Sequence, residues 1–307
     1  MNIITPIVIT SAMLGAGTTI AEPAAGETAW VSAGTYALAD LRIRATTHRV
    51  YKCVQAHTGR TALPEDDAAY WLDYAPTQRF APFDTYTNTA ATTVTTMTYV
   101  VTPGYFNSIA LYGLAGANYT LVVKEFTGGA TIYSRSGYLY ADPIGWYEYL
   151  FGAVTVIDKL VFTDIPLRPA SEITLTITAA ASAPVGLGMF VCGDYVNLAG
   201  SGPWGGTGYG ASAEPVTYSY IKTNDDGTTT IVRRHAATNL RVTITMPQDQ
   251  ADGSLRAVQN VLDLPVAWIA TDVAGYAGLS TFGLGSGSMK YDSFGTASFE
   301  ISVKGLV

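Results

Sequence analysis

The chain has 307 residues and a formal net charge of −7, from 17 Lys and Arg against 24 Asp and Glu. Charged residues make up 13%, about half the usual share, while hydrophobic residues at 48% are ordinary. Twenty Tyr and 10 Phe exclude disorder, and the acidic balance excludes a nucleic-acid partner, which needs a basic stripe to neutralise phosphates.

Abundant Thr and Tyr with 31 Gly predict a mainly β protein: a small aromatic-rich module, a jelly-roll-like β-sandwich and a C-terminal α+β domain. Few surface charges also suit a protein packed against other subunits. Residues 1–26 read as an extended N-terminal arm docked on a neighbour. Met1–Ala21 is mildly apolar, but no Lys or Arg precedes Arg42, as a secretion signal would require, and Pro6, Gly15 and Gly17 interrupt it, so no membrane insertion is expected.

Residues 27–84 change character, with Trp30, Tyr36, Tyr51, Tyr70, Trp71 and Tyr74 in a unit too small for a large core. A strand is expected at 49–54, a turn at Thr58-Gly59-Arg60, and one helical turn opening at Pro64 with Glu65, Asp66 and Asp67 at its start. Residues 85–199 read as the sandwich. Strands are expected at 92–101, 108–114, 119–125, 130–134, 159–163, 172–179 and 185–192, bounded by Gly, Pro, Asn or Asp. Residues 200–213 form a Gly/Ser-rich linker, and residues 214–307 the C-terminal domain. There, 218–222 and 228–234 flank Asn224-Asp225-Asp226-Gly227, a hairpin signal. A strand follows at 241–246, then a helix capped by Asp252 with Leu255, Val258, Val261 and Leu262 on one face. Strands at 266–270, 279–284 and 296–303 close the chain.

No motif carries an enzyme. Gly200-Ser201-Gly202-Pro203-Trp204-Gly205 has dinucleotide-loop spacing, yet Pro203 forbids the helix that such a loop must open. His48, His57 and His235 are the three histidines and have no ligand or triad spacing. Cys53 and Cys192 stand 139 positions apart and read as two reduced thiols. Asp142 and Glu148 sit among Tyr138, Tyr140, Trp146, Tyr147 and Tyr149; sugar contact or a glycosidase pair competes there with plain core or interface packing. No catalytic residue, metal or cofactor is expected.

The order Trp30, Tyr36, Asp40, Tyr51, Thr58-Gly59, Pro64, Trp71 resembles the small carbohydrate-binding modules of chitinases. Ala39 stands where that family has Gly, and Arg42 where it has an apolar residue. The resemblance implies sugar stacking on Trp30, Tyr36, Tyr51 and Trp71; against it stands the reading that these rings are the module's whole core. Thr77-Gln78-Arg79-Phe80-Ala81-Pro82-Phe83-Asp84 is similar to the string joining such modules to a β-sandwich in structural proteins of tailed bacteriophages. Residues 185–193, 230–234, 264–269 and 301–306 follow in the same order as in that group. The resemblance implies a virion component of the tail tip, baseplate or fibre-attachment region, assembled in the bacterial host cytoplasm as a homo-oligomer. Its implied partners are other tail subunits and host surface polysaccharide. A stand-alone glycan-binding adhesin is the alternative, and a polysaccharide depolymerase a weaker one.

Overall fold

The computed structural model describes residues 1–85, 89–141, 145–152, 156–199, 204–271, 273 and 275–306. Strand accounts for 48% and helix for 10%, so the protein is mainly β. The first strands are β1 (Asn2–Pro6), β2 (Thr35–Tyr36), β3 (Leu41–Arg44), β4 (Arg49–Cys53), β5 (His57–Thr58) and β6 (Trp71–Pro76). Next come β7 (Ala91–Val94), β8 (Thr96–Val101), β9 (Ser108–Tyr112), β10 (Asn118–Lys124), β11 (Thr131–Tyr138), helix α1 (Trp146–Phe151), β12 (Lys159–Phe162), β13 (Glu172–Thr178), β14 (Pro184–Leu187) and β15 (Met189–Asn197). The last are β16 (Gly206–Thr207), β17 (Ser212–Thr217), β18 (Tyr220–Thr223), β19 (Thr229–Val232), β20 (Ala236–Pro247), helix α2 (Gln248–Gln259), β21 (Val266–Ile269), β22 (Ser280–Ser293) and β23 (Thr296–Gly305).

A four-stranded sheet, β11-β10-β13-β8, faces one end of a ten-stranded sheet that curls into a half-barrel. Between them lies a core in which Leu121, Val123, Ile173, Leu175 and Ile177 meet Ile109, Leu111, Phe190 and Cys192. Strict alternation in β13 puts Ile173, Leu175 and Ile177 inward and Thr174, Thr176 and Thr178 outward, as a period-two pleat requires. The expected strand at 92–101 breaks at Thr95, whose φ of 67° is left-handed, so β7 pairs with β14 and β8 with β13. Burial pushes the Cys192 thiol up to about 12, and both cysteines are buried and free.

The large sheet runs β12-β9-β15-β1-β21-β22-β23-β20-β16, with β17 also on β20. Two expectations are corrected by this order. First, the N-terminal segment is not an arm laid on a neighbour. β1 pairs antiparallel with β15 on one side (Ile3↔Val196) and with β21 on the other (Ile3↔Trp268). Second, the sandwich and the C-terminal region are not sheet-independent, because that one strand joins their hydrogen-bond ladders. An apolar, uncharged segment has no solvated alternative to offer its backbone, so it is used as a central strand.

Alternation along β1 ties the cores together. Ile3 enters the C-terminal core with Leu240, Val242, Ile244, Trp268, Phe299 and Ile301. Ile4 points the other way, into a cluster made by Ala110, Tyr112, Met189 and Val191 from the sandwich with Ala267, Ile269 and Phe282 from the C-terminal strands. Burying each isoleucine is worth about 1.5–3 kcal/mol. Gly193 makes the close pairing possible: a Cβ there would sit 1.8 Å from the Thr5 carbonyl oxygen. Farther along, Gly15 N–H donates to Val100 O (2.8 Å) and Thr19 N–H to Thr98 O (2.9 Å), which covers the outer edge of β8.

Elsewhere the differences are local. The linker is not free: β16 and β17 both pair with β20, while residues 200–203 lie outside the described ones. Helix α2 starts at Gln248, directly after Pro247, so Asp252 lies inside it rather than capping it. Ala251, Ser254 and Val258 form its buried face, and Ser254 Oγ donates to Leu198 O. Leu262 lies beyond the helix and is exposed.

Ile4→Ala is expected to cost about 2–5 kcal/mol, the usual range for a buried large-to-small change. Gly193→Ala should cost at least as much, because backbone has to move. Urea denaturation followed by tryptophan fluorescence measures both. The bridging role predicts that either variant splits one cooperative transition into two, and a single unchanged transition would refute it.

Candidate glycan and assembly surfaces

The module formed by β2 to β6 is built around the rings singled out in the sequence. Trp71 (3% exposed), Tyr36 (5%) and Tyr51 (5%) pack with Cys53 as its core, and Trp30 and Tyr70 lie against them partly buried. Tyr36 meets Trp71 edge to face at 4.9 Å, and His57 fills the remaining side at 5.4 Å from Tyr36, 5.3 Å from Trp71 and 5.0 Å from Tyr70. Tyr36 OH donates to Val31 O (2.7 Å) and accepts from Val31 N–H (2.8 Å). A pyranose stacks on an open ring face, and Tyr36, Tyr51 and Trp71 have none. The sugar-stacking expectation therefore gives way, for these three, to a packing role. The 58 residues of 27–84 bury little surface, and the large aromatic rings fill the core.

Trp30 is the partial exception. Its ring is half-buried under the Arg44 guanidinium (5.4 Å), which also forks onto Glu65 at 3.0 and 3.3 Å. Its Nε1–H has no acceptor among the described residues. Outward, Arg60 stacks on Tyr70 at 3.8 Å and bridges Asp67 with two hydrogen bonds, so the exposed face of that ring is already occupied.

The string Thr77–Asp84 forms the joint between module and sandwich. Glu22 accepts from Thr77 Oγ1 (2.6 Å) and pairs with His48 Nδ1 (2.9 Å), while Glu27 accepts from Gln78 N–H (2.7 Å). His48 stacks on Phe80 at 3.9 Å. Phe80, Phe83 and then Tyr99 and Phe190 continue edge to face into the sandwich core. Burial holds the Tyr99 hydroxyl far above the ordinary phenol range, and that group donates to Arg79 O at 3.1 Å.

Two other surfaces carry open aromatics. At α1, Trp146 is 82% exposed, and Tyr147, Tyr149, Leu150 and Phe151 are exposed around it, with Tyr138 and Tyr140 stacked at 6.2 Å nearby. Core packing is thus excluded for this segment; Asp142 and the side chain of Glu148 lie outside the described residues. The second is a cleft of about 690 Å³ beside β1, between β16 and the residues Ala270, Thr271, Val273, Tyr276 and Leu279. Trp204, Tyr209 and Tyr276 stand at its rim and Asn2, Asn197 and Thr271 supply polar groups. Its described lining contains no carboxylate. Rings with amide and hydroxyl groups suit a neutral sugar, and sequence reading missed the site because its parts come from positions 2, 197, 204 and 276.

No protein-family model, curated protein or solved structure matches the chain.

Trp71→Ala is expected to cost about 3–5 kcal/mol and to remove amide-exchange protection from residues 27–84. Protection retained there would mean that the ring is dispensable to the module's core.

Proposed function

We propose that the chain is a structural component of a tailed-phage virion, in the tail tip, baseplate or fibre-attachment region. The observation that carries this reading is the open apolar surface of α1, where Trp146, Tyr147, Tyr149, Leu150 and Phe151 are all exposed, joined by exposed Ile221 and Ile231 on the β18–β19 hairpin. Solvating such patches is unfavourable for a solitary protein, and subunit contacts remove the cost. The ordered strings at Trp30–Trp71, Thr77–Asp84 and Val185–Gly193 support the same reading, with the middle one acting as a joint. In this role the N-terminal module is a rigidly docked adaptor. Antibodies against the chain are expected to decorate one end of phage tails by immunogold electron microscopy. Labelling of bacterial surfaces without particles would overturn the assignment.

One observation favours a second reading, a glycan-binding adhesin: the carboxylate-free cleft rimmed by Trp204, Tyr209 and Tyr276. On that reading Trp204→Ala abolishes glycan-array binding with little change in the melting temperature, since Trp204 is 47% exposed at the rim. An array with no hits for the native protein would sink it.

A further inference from the structure

The β18–β19 hairpin leaves all of its strand residues exposed except half-buried Val232. Ile221 and Ile231 are direct cross-strand partners, so they lie side by side on one face, 67% and 66% exposed. A two-stranded hairpin is marginal in water by itself, and this one presents both an apolar face and unpaired strand edges.

Its two ends carry opposite charge. The tip is locally fixed: Asn224 N–H donates to Thr228 O (2.8 Å), Gly227 N–H donates to Asn224 O (3.0 Å), and Gly227 takes the left-handed φ of 81° that this turn needs. Asp226 accepts from Thr228 N–H (2.9 Å) and Oγ1 (2.6 Å), which holds its carboxyl below the ordinary range, and Asp225 stands exposed beside it. At the root, Arg233, Arg234 and His235 join Tyr218, Lys304 and Leu306 around a hollow of about 780 Å³. Among the described residues, none of Arg233, Arg234 and Lys304 is in the chain's salt bridges. Ser219 fixes this end, donating through Oγ to Arg234 O (3.1 Å) and accepting from Arg234 N–H (2.9 Å), while the Arg234 guanidinium lies 5.3 Å over the Tyr220 ring.

We propose that this hairpin is the docking surface for a second copy of the chain, the two hairpins lying antiparallel. The arrangement sets each Asp225-Asp226 tip on the Arg233-Arg234-Lys304 hollow of the other copy and presses the Ile221–Ile231 faces together. Tip and root are separated by the hairpin's own length, about 3.3 Å per residue, so a tip cannot reach its own root. One two-fold contact neutralises both ends at once, which is the self-complementarity that an isologous interface demands. A partner of uniform charge would satisfy one end and repel the other. The inference rests on the assembly reading above and names the surface through which assembly proceeds.

The test is the mass of the full-length protein by light scattering, for the native chain, D225R/D226R, R233E/R234E and the four-fold variant. The native protein is expected to self-associate, more weakly as salt is raised from about 0.05 to 0.5 M, because screening acts on the exposed charge contacts. Each double reversal should weaken association at least tenfold, and the four-fold variant should restore it. All substituted positions are exposed, and melting curves are the check that each variant folds. A monomeric native protein, or reversals that leave the mass unchanged, would overturn the proposal. So would a monomer that binds a soluble polyanion and loses it in R233E/R234E, since the hollow would then serve an anionic ligand. Tail labelling with unaffected reversals discards the interface alone; lost association without tail labelling discards the virion assignment alone.

Discussion

The hydrogen bonding of Asn2–Pro6 on both of its edges is the constraint on which the rest of the structure depends. β15 belongs to the sandwich and β21 to the C-terminal region, and the strand between them gives each a neighbour it would otherwise lack. Without β1 the large sheet would expose two apolar edges, with Ile3 and Ile4 lost from two different clusters. Sheet-mediated coupling transmits strain well because the joined faces are close-packed on both sides.

Aromatic residues serve three separate purposes, distinguished by what lies over them. In the N-terminal module they are the core, with His57 completing the packing of Tyr36, Trp71 and Tyr70. Along Phe80, Phe83, Tyr99 and Phe190 they form an edge-to-face run that fixes the module to the sandwich. At α1 and around Trp204 they face solvent, and there they are available to a partner or ligand. The same composition thus stabilises the protein in two places and stays open to solvent in two others.

The charges are few, and several are paired. Arg44 with Glu65, Arg60 with Asp67 and Arg49 with Asp73 are used within the small module. The hairpin carries some of the charges outside these pairs, Arg233 and Arg234 at its root and Asp225 and Asp226 at its tip. Opposite charges at the two ends of one element give it a polarity that orients an encounter.

Strand positions were legible in the sequence because the period-two pattern of Ile173, Leu175 and Ile177 and the turn residues Asn224 to Gly227 act locally. The same local signals gave the short helical turn at Pro64, whereas Thr77–Asp84 read as a junction only through its resemblance to the joining string of phage structural proteins. The adjacency of Ile3 to Val196 and Trp268 was not legible, since pairing over 190 residues leaves no local trace. Nor was the burial of Tyr36, Tyr51 and Trp71 against the exposure of Trp146 and Trp204: a ring's fate depends on which surface folds over it. By itself the sequence determined the mainly β character and most strand positions, because backbone pleat and turn chemistry are properties of neighbouring residues. Only the tertiary structure decided that the first strand unites the two halves and which rings remain open, because both follow from pairing and burial between segments far apart in the chain.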